Sequence, residues 1–278
     1  MIDERGLTFQ CGGETLVGVL AEPAGTPVLP GVVIVVGGPQ YRIGSHRQFV
    51  ELARALARAG HPCLRFDVRG MGDSTGTTRS FEDIGDDIDA AISALRTACP
   101  TVTKIVLWGL CDGASAAAMF AAHSSRLGGL ILVNPWVRTE TTLARTHVRH
   151  YYAARLMQLE FWTKLVSGNL DVRAALGELL AKLRSLRTPA QNREQTDYRS
   201  LMLEGLRRFD GPVLLITAEV DLTAREFLDL ARDDDAWHQV LDRLRPARCV
   251  VADADHTFSR AEWSRRAEEA TVAWLRRV

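Results

Sequence analysis

Runs of β-branched and aliphatic residues alternate along this chain with segments whose apolar positions recur every three or four residues. Gly31-Val-Val-Ile-Val-Val36 is continuously apolar, as a strand buried on both faces should be. Phe49–Ala59 has helical spacing and stops at Gly60, a residue suited to a C-cap. The unit then recurs. Cys63–Phe66 reads as a strand, Phe81–Thr97 as a helix with Ile84, Ile88, Ile92 and Leu95 along one stripe, and Lys104–Trp108 as a strand. A small-residue helix follows from Cys111 to Ala122, then a strand at Leu130–Val133. Further on come a strand at Val213–Thr217, a helix at Ala224–Ala231, a strand at Cys249–Ala252 and a closing helix at Arg260–Arg277. Leu7–Cys11 and Thr15–Ala21, flanking Gly12-Gly13, predict an N-terminal hairpin.

Alternating strands and helices predict an α/β chain: a mostly parallel, eight-stranded sheet with helices on both faces and right-handed connections. The alternation breaks between Trp136 and Arg208, where amphipathic helical pattern replaces it; Leu176, Leu179, Leu180, Leu183 and Leu186 form one stripe. We therefore expect a core of residues 1–135 and 209–278, with residues 136–208 inserted as a helical cap. The inserted stretch holds 13 Lys and Arg against 7 Asp and Glu. That surplus suits either a solvated helical surface or a cap that attracts an anionic substrate or carrier.

Composition narrows the class. The 278 residues are 46% hydrophobic and 24% charged, which suits a large globular core and argues against disorder. Formal net charge is zero, so a nucleic-acid partner is a poor expectation. The first residues are acidic where a secretory leader would be basic, and the longest apolar runs are too short for a membrane span, so a cytoplasmic chain is expected. The five cysteines are odd in number and widely spaced, with no metal-site spacing; neither a disulfide framework nor a metal or other cofactor is expected. The pattern does not reach oligomeric state.

The chemistry concentrates in Trp108-Gly-Leu-Cys-Asp-Gly-Ala-Ser115, between a β-branched strand and an alanine-rich helix. This is the frame of a nucleophile elbow, G-x-Nuc-x-G, with Cys111 as nucleophile. A side chain at 109 or 113 would collide with the neighbouring strand or helix. The helix N-terminus behind Cys111 favours a thiolate. Partners should follow in the order acid, then histidine. Asp221 follows one late strand and His256 the next, both at C-terminal strand ends, where open α/β sheets place their sites. Asp253 and Asp255 are rivals to Asp221 by proximity in sequence alone. An oxyanion hole needs two backbone N–H groups: that of Asp112, and one from Gly37-Gly-Pro-Gln40, where Gly38 is the first choice and Gln40 the second because Pro39 has no N–H. The Asp112 carboxylate either faces the sulfur or turns to the helix N-terminus; the residue order leaves both open. Gln40, Tyr41, Arg42, Trp136, His147 and His150 are candidates to line the substrate site. Asp67 and Arg69, beside Gly70 and Gly72, read as a pinned structural loop.

Taken together, the Gly-Gly loop, the Phe66-Asp-x-Arg-Gly-x-Gly-x-Ser74 segment, the elbow and the late Asp and His resemble the α/β-hydrolase superfamily. Gly37-Gly-Pro-Gln-Tyr-Arg42, Gly44-Ser-His-Arg47, Gly109–Ser115 and Asn134-Pro-Trp-Val-Arg138 resemble, more narrowly, the exosortase A system-associated hydrolases of type 1. The resemblance implies an α/β-hydrolase fold and a bacterial exopolysaccharide and protein-sorting context. With Cys at 111 it implies hydrolysis of a small-molecule ester or acyl thioester, free or carrier-bound, through an acyl-cysteine. The alternatives are an acyltransferase serving a sugar or amine, and a non-catalytic binding protein of the same fold.

Overall fold

The structure, a computed structural model, describes residues 2–26, 29–37, 40–123, 127–138 and 197–278. Among them, eight strands form one sheet: β1 (Ile2–Cys11), β2 (Glu14–Pro23), β3 (Gly31–Val35), β4 (Cys63–Phe66), β5 (Ile105–Leu110), β6 (Leu127–Val133), β7 (Val213–Ala218) and β8 (Ala247–Val251). Their order is β1-β2-β4-β3-β5-β6-β7-β8. The β1–β2 and β2–β4 pairs are antiparallel, and every later pair is parallel. The expected hairpin, the mostly parallel sheet and the position of each strand therefore agree with the hydrophobic pattern.

Helices α1 (Gln48–Arg58) and α7 (Ala261–Leu275) cover one face. There Val32, Ile34, Val106, Trp108, Ile131, Val133, Leu214 and Ile216 meet Phe49, Leu52 and Leu56 of α1 and Ala267, Trp274 and Leu275 of α7. Each aliphatic side chain buried in this layer contributes about 1.5–3 kcal/mol. On the other face lie α2 (Gly85–Ala98) and α3 (Asp112–Phe120). Leu95 of α2 comes so near Gly31 that a Cβ there would stand 2.9 Å from it.

Three expectations change in detail. The helix expected over Phe81–Thr97 is broken: Phe81–Asp83 is a separate 3₁₀ turn, the Ser80 side chain accepting from Glu82 N, and α2 starts only at Gly85. Between β7 and β8 there are two helices, α5 (Leu222–Asp233) and α6 (Asp235–Leu244), where one was expected. Asp234 closes the first through its backbone N–H on Leu230 O, and its side chain caps the second by accepting from Ala236 N and Trp237 N. Finally, the chain divides into two compact units, Met1–Trp136 with Asp197–Val278, and Val137–Thr196. Helix α4 (Tyr198–Arg208), which the residue pattern placed inside the insertion, belongs to the first unit. It buries Met202, Gly205 and Leu206, and Gly205 lies against the Ala118 carbonyl so closely that a Cβ would sit 2.0 Å from it. Most of the stretch expected to form a cap lies outside the described residues.

Candidate active site

The site is assembled at the C-terminal ends of β3, β5, β6, β7 and β8. β5 ends at Leu110, and the next residue, Cys111, takes φ 59 and ψ −124, a conformation costly for any residue with a Cβ. Its backbone is held there from both sides. Cys111 N donates to Val133 O at 2.9 Å, and Cys111 O accepts from Ala114 N at 3.0 Å and Ser115 N at 3.2 Å. The flanking glycines are needed for room: a Cβ on Gly109 would lie 2.3 Å from Gly113 O, and one on Gly113 would lie 2.4 Å from Val35 O. The turn thus leaves a half-buried thiol at the N-terminus of α3. Cys11, Cys63 and Cys99 are buried, and burial pushes the thiols of Cys11, Cys63 and Cys249 up, away from reactivity.

Asp221 and His256 come to this thiol from different loops. Asp221 is the N-cap of α5 and nearly buried; its carboxylate accepts from Thr223 N at 3.2 Å and Ala224 N at 3.1 Å. The same carboxylate accepts from His256 Nδ1–H at 2.9 Å, which leaves the Nε2 side of the ring to meet the Cys111 thiol. Burial alone would drive the imidazole toward its neutral form. Hydrogen bonds with Asp221 and Cys111, and their negative charges, outweigh burial and raise His256 to about 10. Of the two rivals to Asp221, Asp255 is occupied locally: it accepts from Thr257 N at 3.2 Å, from Ser259 N at 3.0 Å and from the Ser259 hydroxyl. It is Asp221 that hydrogen-bonds the ring.

The Asp112 carboxyl turns to the backbone. Its Oδ1 accepts from Gly113 N at 3.1 Å, and it covers Gly37 so tightly that a Cβ at 37 would stand 2.3 Å from it. Burial raises this carboxyl; the N–H groups of Gly113 and of Asp112 itself, together with the His256 charge, only partly oppose that. The carboxylate thus lies beside the backbone amide expected to serve an oxyanion. Gly38, the other expected donor, lies outside the described residues, as do His147 and His150. Gln40 is half-buried and Tyr41 exposed at the end of the same loop.

The Arg42 guanidinium is bound by Asp67 and, at 2.5 Å, by Asp73. Asp67 is fully buried and also accepts from Arg42 N at 2.7 Å and Asp73 N at 3.0 Å, so it fastens the loop after β3 to the loop after β4. Arg69 pairs separately with buried Asp87, through Nε at 2.9 Å and Nη2 at 2.8 Å. The structural reading of Asp67 and Arg69 fits these contacts. Trp136 is brought beside the nucleophile through its backbone: its N–H reaches Cys111 O at 3.3 Å and Ser115 Oγ at 3.1 Å, and its carbonyl accepts from the Ser115 hydroxyl at 2.6 Å.

Ser115 and Asn134 were not among the residues expected at the site. Asn134 carried a weak signal, a polar residue before proline at the C-terminal end of a strand. An open cavity of about 880 Å³ between β1 and α2, lined by residues including Arg5, Phe9, Asp86 and Asp89, contains none of the candidate residues. Among the described residues no group of three His, Cys, Asp or Glu is placed to hold a metal ion, and no helix is long and apolar enough to cross a membrane.

A family model described as serine aminopeptidase, S33, matches residues 30–223. The polyketide transferase grgF of a Penicillium species is 27% identical over 217 residues, covering 68% of this chain and 71% of that relative. Among solved structures, the Pyrococcus furiosus esterase Pf2001 superposes with a TM-score of 0.64 at 16% identity, covering 99% of this chain and 94% of that one. Est1E from Butyrivibrio proteoclasticus, solved with ferulic acid, gives 0.61 at 16% identity, with 98% of each chain covered. These structural likenesses show the α/β-hydrolase fold.

Proposed function

The chain belongs to the serine aminopeptidase S33 family, and within it we propose that this protein cleaves an ester or acyl thioester through a covalent intermediate on Cys111. The observation that carries the reading is the placement of His256 between the Cys111 thiol and the buried Asp221 carboxylate at adjoining strand ends. The family description names a serine; in our reading Cys111 takes the nucleophile's role.

The steps follow from that arrangement. His256 takes the thiol proton at Nε2, while Asp221, accepting from Nδ1–H, orients the ring and stabilises the resulting imidazolium. The thiolate adds to the acyl carbon, and the electron pair moves to the carbonyl oxygen, where the backbone N–H of Asp112 and one from the loop after β3 receive it. Collapse expels the alcohol or thiol, which leaves with the proton from His256. His256 then accepts a proton from water as the water attacks the thioester, and the carboxylic acid is released with Cys111 restored.

Transfer to a sugar hydroxyl or an amine uses the same steps with that acceptor in place of water. The relative named as a polyketide transferase supports this second reading. Motifs resembling the exosortase A system-associated hydrolases support a carrier-bound acyl donor, as does the basic surplus of residues 136–208, which suits an anionic carrier.

Intact-protein mass after brief mixing with acyl thioesters and activated esters tests the reading. Wild type should gain one acyl mass that water or an added acceptor removes, and Cys111→Ala should gain none. Equal labelling of Cys111→Ala would refute it.

A further inference from the structure

Asn134 is fully buried at the end of β6 and has φ 43, in the left-handed region. Its side chain spans two loops. Oδ1 accepts from Ala218 N at 2.8 Å, at the end of β7 and three residues before Asp221. Nδ2 donates to the His256 carbonyl at 3.0 Å. The chemistry of the partners sets the amide's orientation, since an N–H needs the oxygen and a carbonyl needs the NH₂. Asn134 N also donates to Ile216 O at 3.0 Å. Two residues on, Trp136 hydrogen-bonds Cys111 O and the Ser115 hydroxyl. One short segment thus joins the nucleophile turn, the strand that delivers the acid and the loop that carries the base.

We propose that Asn134 is a positioning residue: through its amide it sets the His256 backbone against the end of β7, and so fixes the imidazole between Cys111 and Asp221. It touches neither the ring nor the thiol. Its role rests on the triad proposed above. A left-handed φ alone would favour glycine at least as well as asparagine, and aspartate would keep the bond to Ala218 N. Only asparagine supplies both an acceptor for Ala218 and a donor for His256 within that backbone conformation.

The experiment compares wild type, Asn134→Gly, Asn134→Asp and His256→Ala by the rate at which iodoacetamide alkylates Cys111 near neutral pH, read by peptide mass, with thermal unfolding as the check on folding. Asn134→Gly relieves the backbone and removes both side-chain bonds. Asn134→Asp keeps the bond to Ala218 and turns an acceptor toward the His256 carbonyl, so it carries the test if the glycine variant does not fold. We expect each folded variant to slow Cys111 alkylation about tenfold, because a displaced base forfeits its alignment, and His256→Ala to slow it at least as much. Wild-type rates in the folded Asn134 variants, with His256→Ala slow, overturn the positioning role alone. A wild-type rate in His256→Ala overturns the triad, and this role with it.

Discussion

Asp221→Asn separates the two duties of one carboxylate. In the structure its oxygens take three N–H groups: Thr223 N at 3.2 Å, Ala224 N at 3.1 Å and His256 Nδ1 at 2.9 Å. Asparagine is as good an N-cap as aspartate, but it has one acceptor oxygen where aspartate has two. If that oxygen stays on the helix, the amide NH₂ faces Nδ1, and the imidazole must place its proton on Nε2, where it cannot receive one from Cys111. If the oxygen stays on the ring it also keeps Ala224 N, and the NH₂ faces only Thr223 N, at about 1 kcal/mol. Stability should therefore fall by no more than about 1–2 kcal/mol. The acylation rate should fall far more, by about 10³–10⁴-fold, as expected when a triad loses its acid but keeps its geometry. The assay is stopped-flow acylation by an activated ester together with urea unfolding of the same preparation. A loss of less than tenfold with the fold intact would show that Asp221 merely caps α5 and that the imidazole is oriented by something else.

Gly113→Ala should cost about 1–3 kcal/mol in urea unfolding, because the new methyl meets a β3 backbone carbonyl 2.4 Å away that has no rotamer by which to yield; an unchanged midpoint would mean the elbow has slack. Asp67→Ala should destabilise by about 3–5 kcal/mol, since it removes the partner of Arg42 N and of Asp73 N and leaves the Arg42 guanidinium with Asp73 alone, and a thermal-shift series will show it. His256 has its folded value raised from 6.5 to about 10, so its charge stabilises the fold fully below about pH 6.5, and that contribution is lost as pH rises through about 10. The wild-type melting temperature should accordingly fall relative to His256→Ala across that interval, and parallel curves would contradict the ion pairing. Asp112→Asn should speed acylation several-fold, because the carboxylate beside the proposed oxyanion donor opposes the developing charge; a slower variant would assign that carboxylate a supporting part.

How much of this was legible beforehand depended on whether the cause was local. β3 announces itself because Val32 to Val36 are apolar without a break, which only a doubly covered strand requires. The elbow is readable because the close approaches of Gly109 and Gly113 exclude every other residue at fixed offsets from Cys111. Strand order favours Asp221 over Asp255, and in the structure Asp255 spends both oxygens on its own turn. Helix α6 was missed although Trp237, Val240 and Leu241 have helical spacing, because ten residues are too few for that spacing to stand out from the charged run before it.

Arg42 shows a different limit. Next to Gly37–Tyr41 it reads as a candidate to line the substrate site, and its ion-pair partners, Asp67 and Asp73, stand 25 and 31 residues away, across a strand pairing that residue order does not report. Asn134 is the counterpart case. Its meaning lies in contacts with Ala218 and His256, 84 and 122 residues distant, and nothing in Asn-Pro-Trp shows that the asparagine faces inward. The two residues mark the same boundary from opposite sides. A motif whose function lies in its own backbone is visible in its spacing. A side chain that joins loops brought together by the sheet becomes interpretable only once the strand order β5-β6-β7-β8 is known, because that order decides which buried amide N–H and carbonyl are left for it to satisfy.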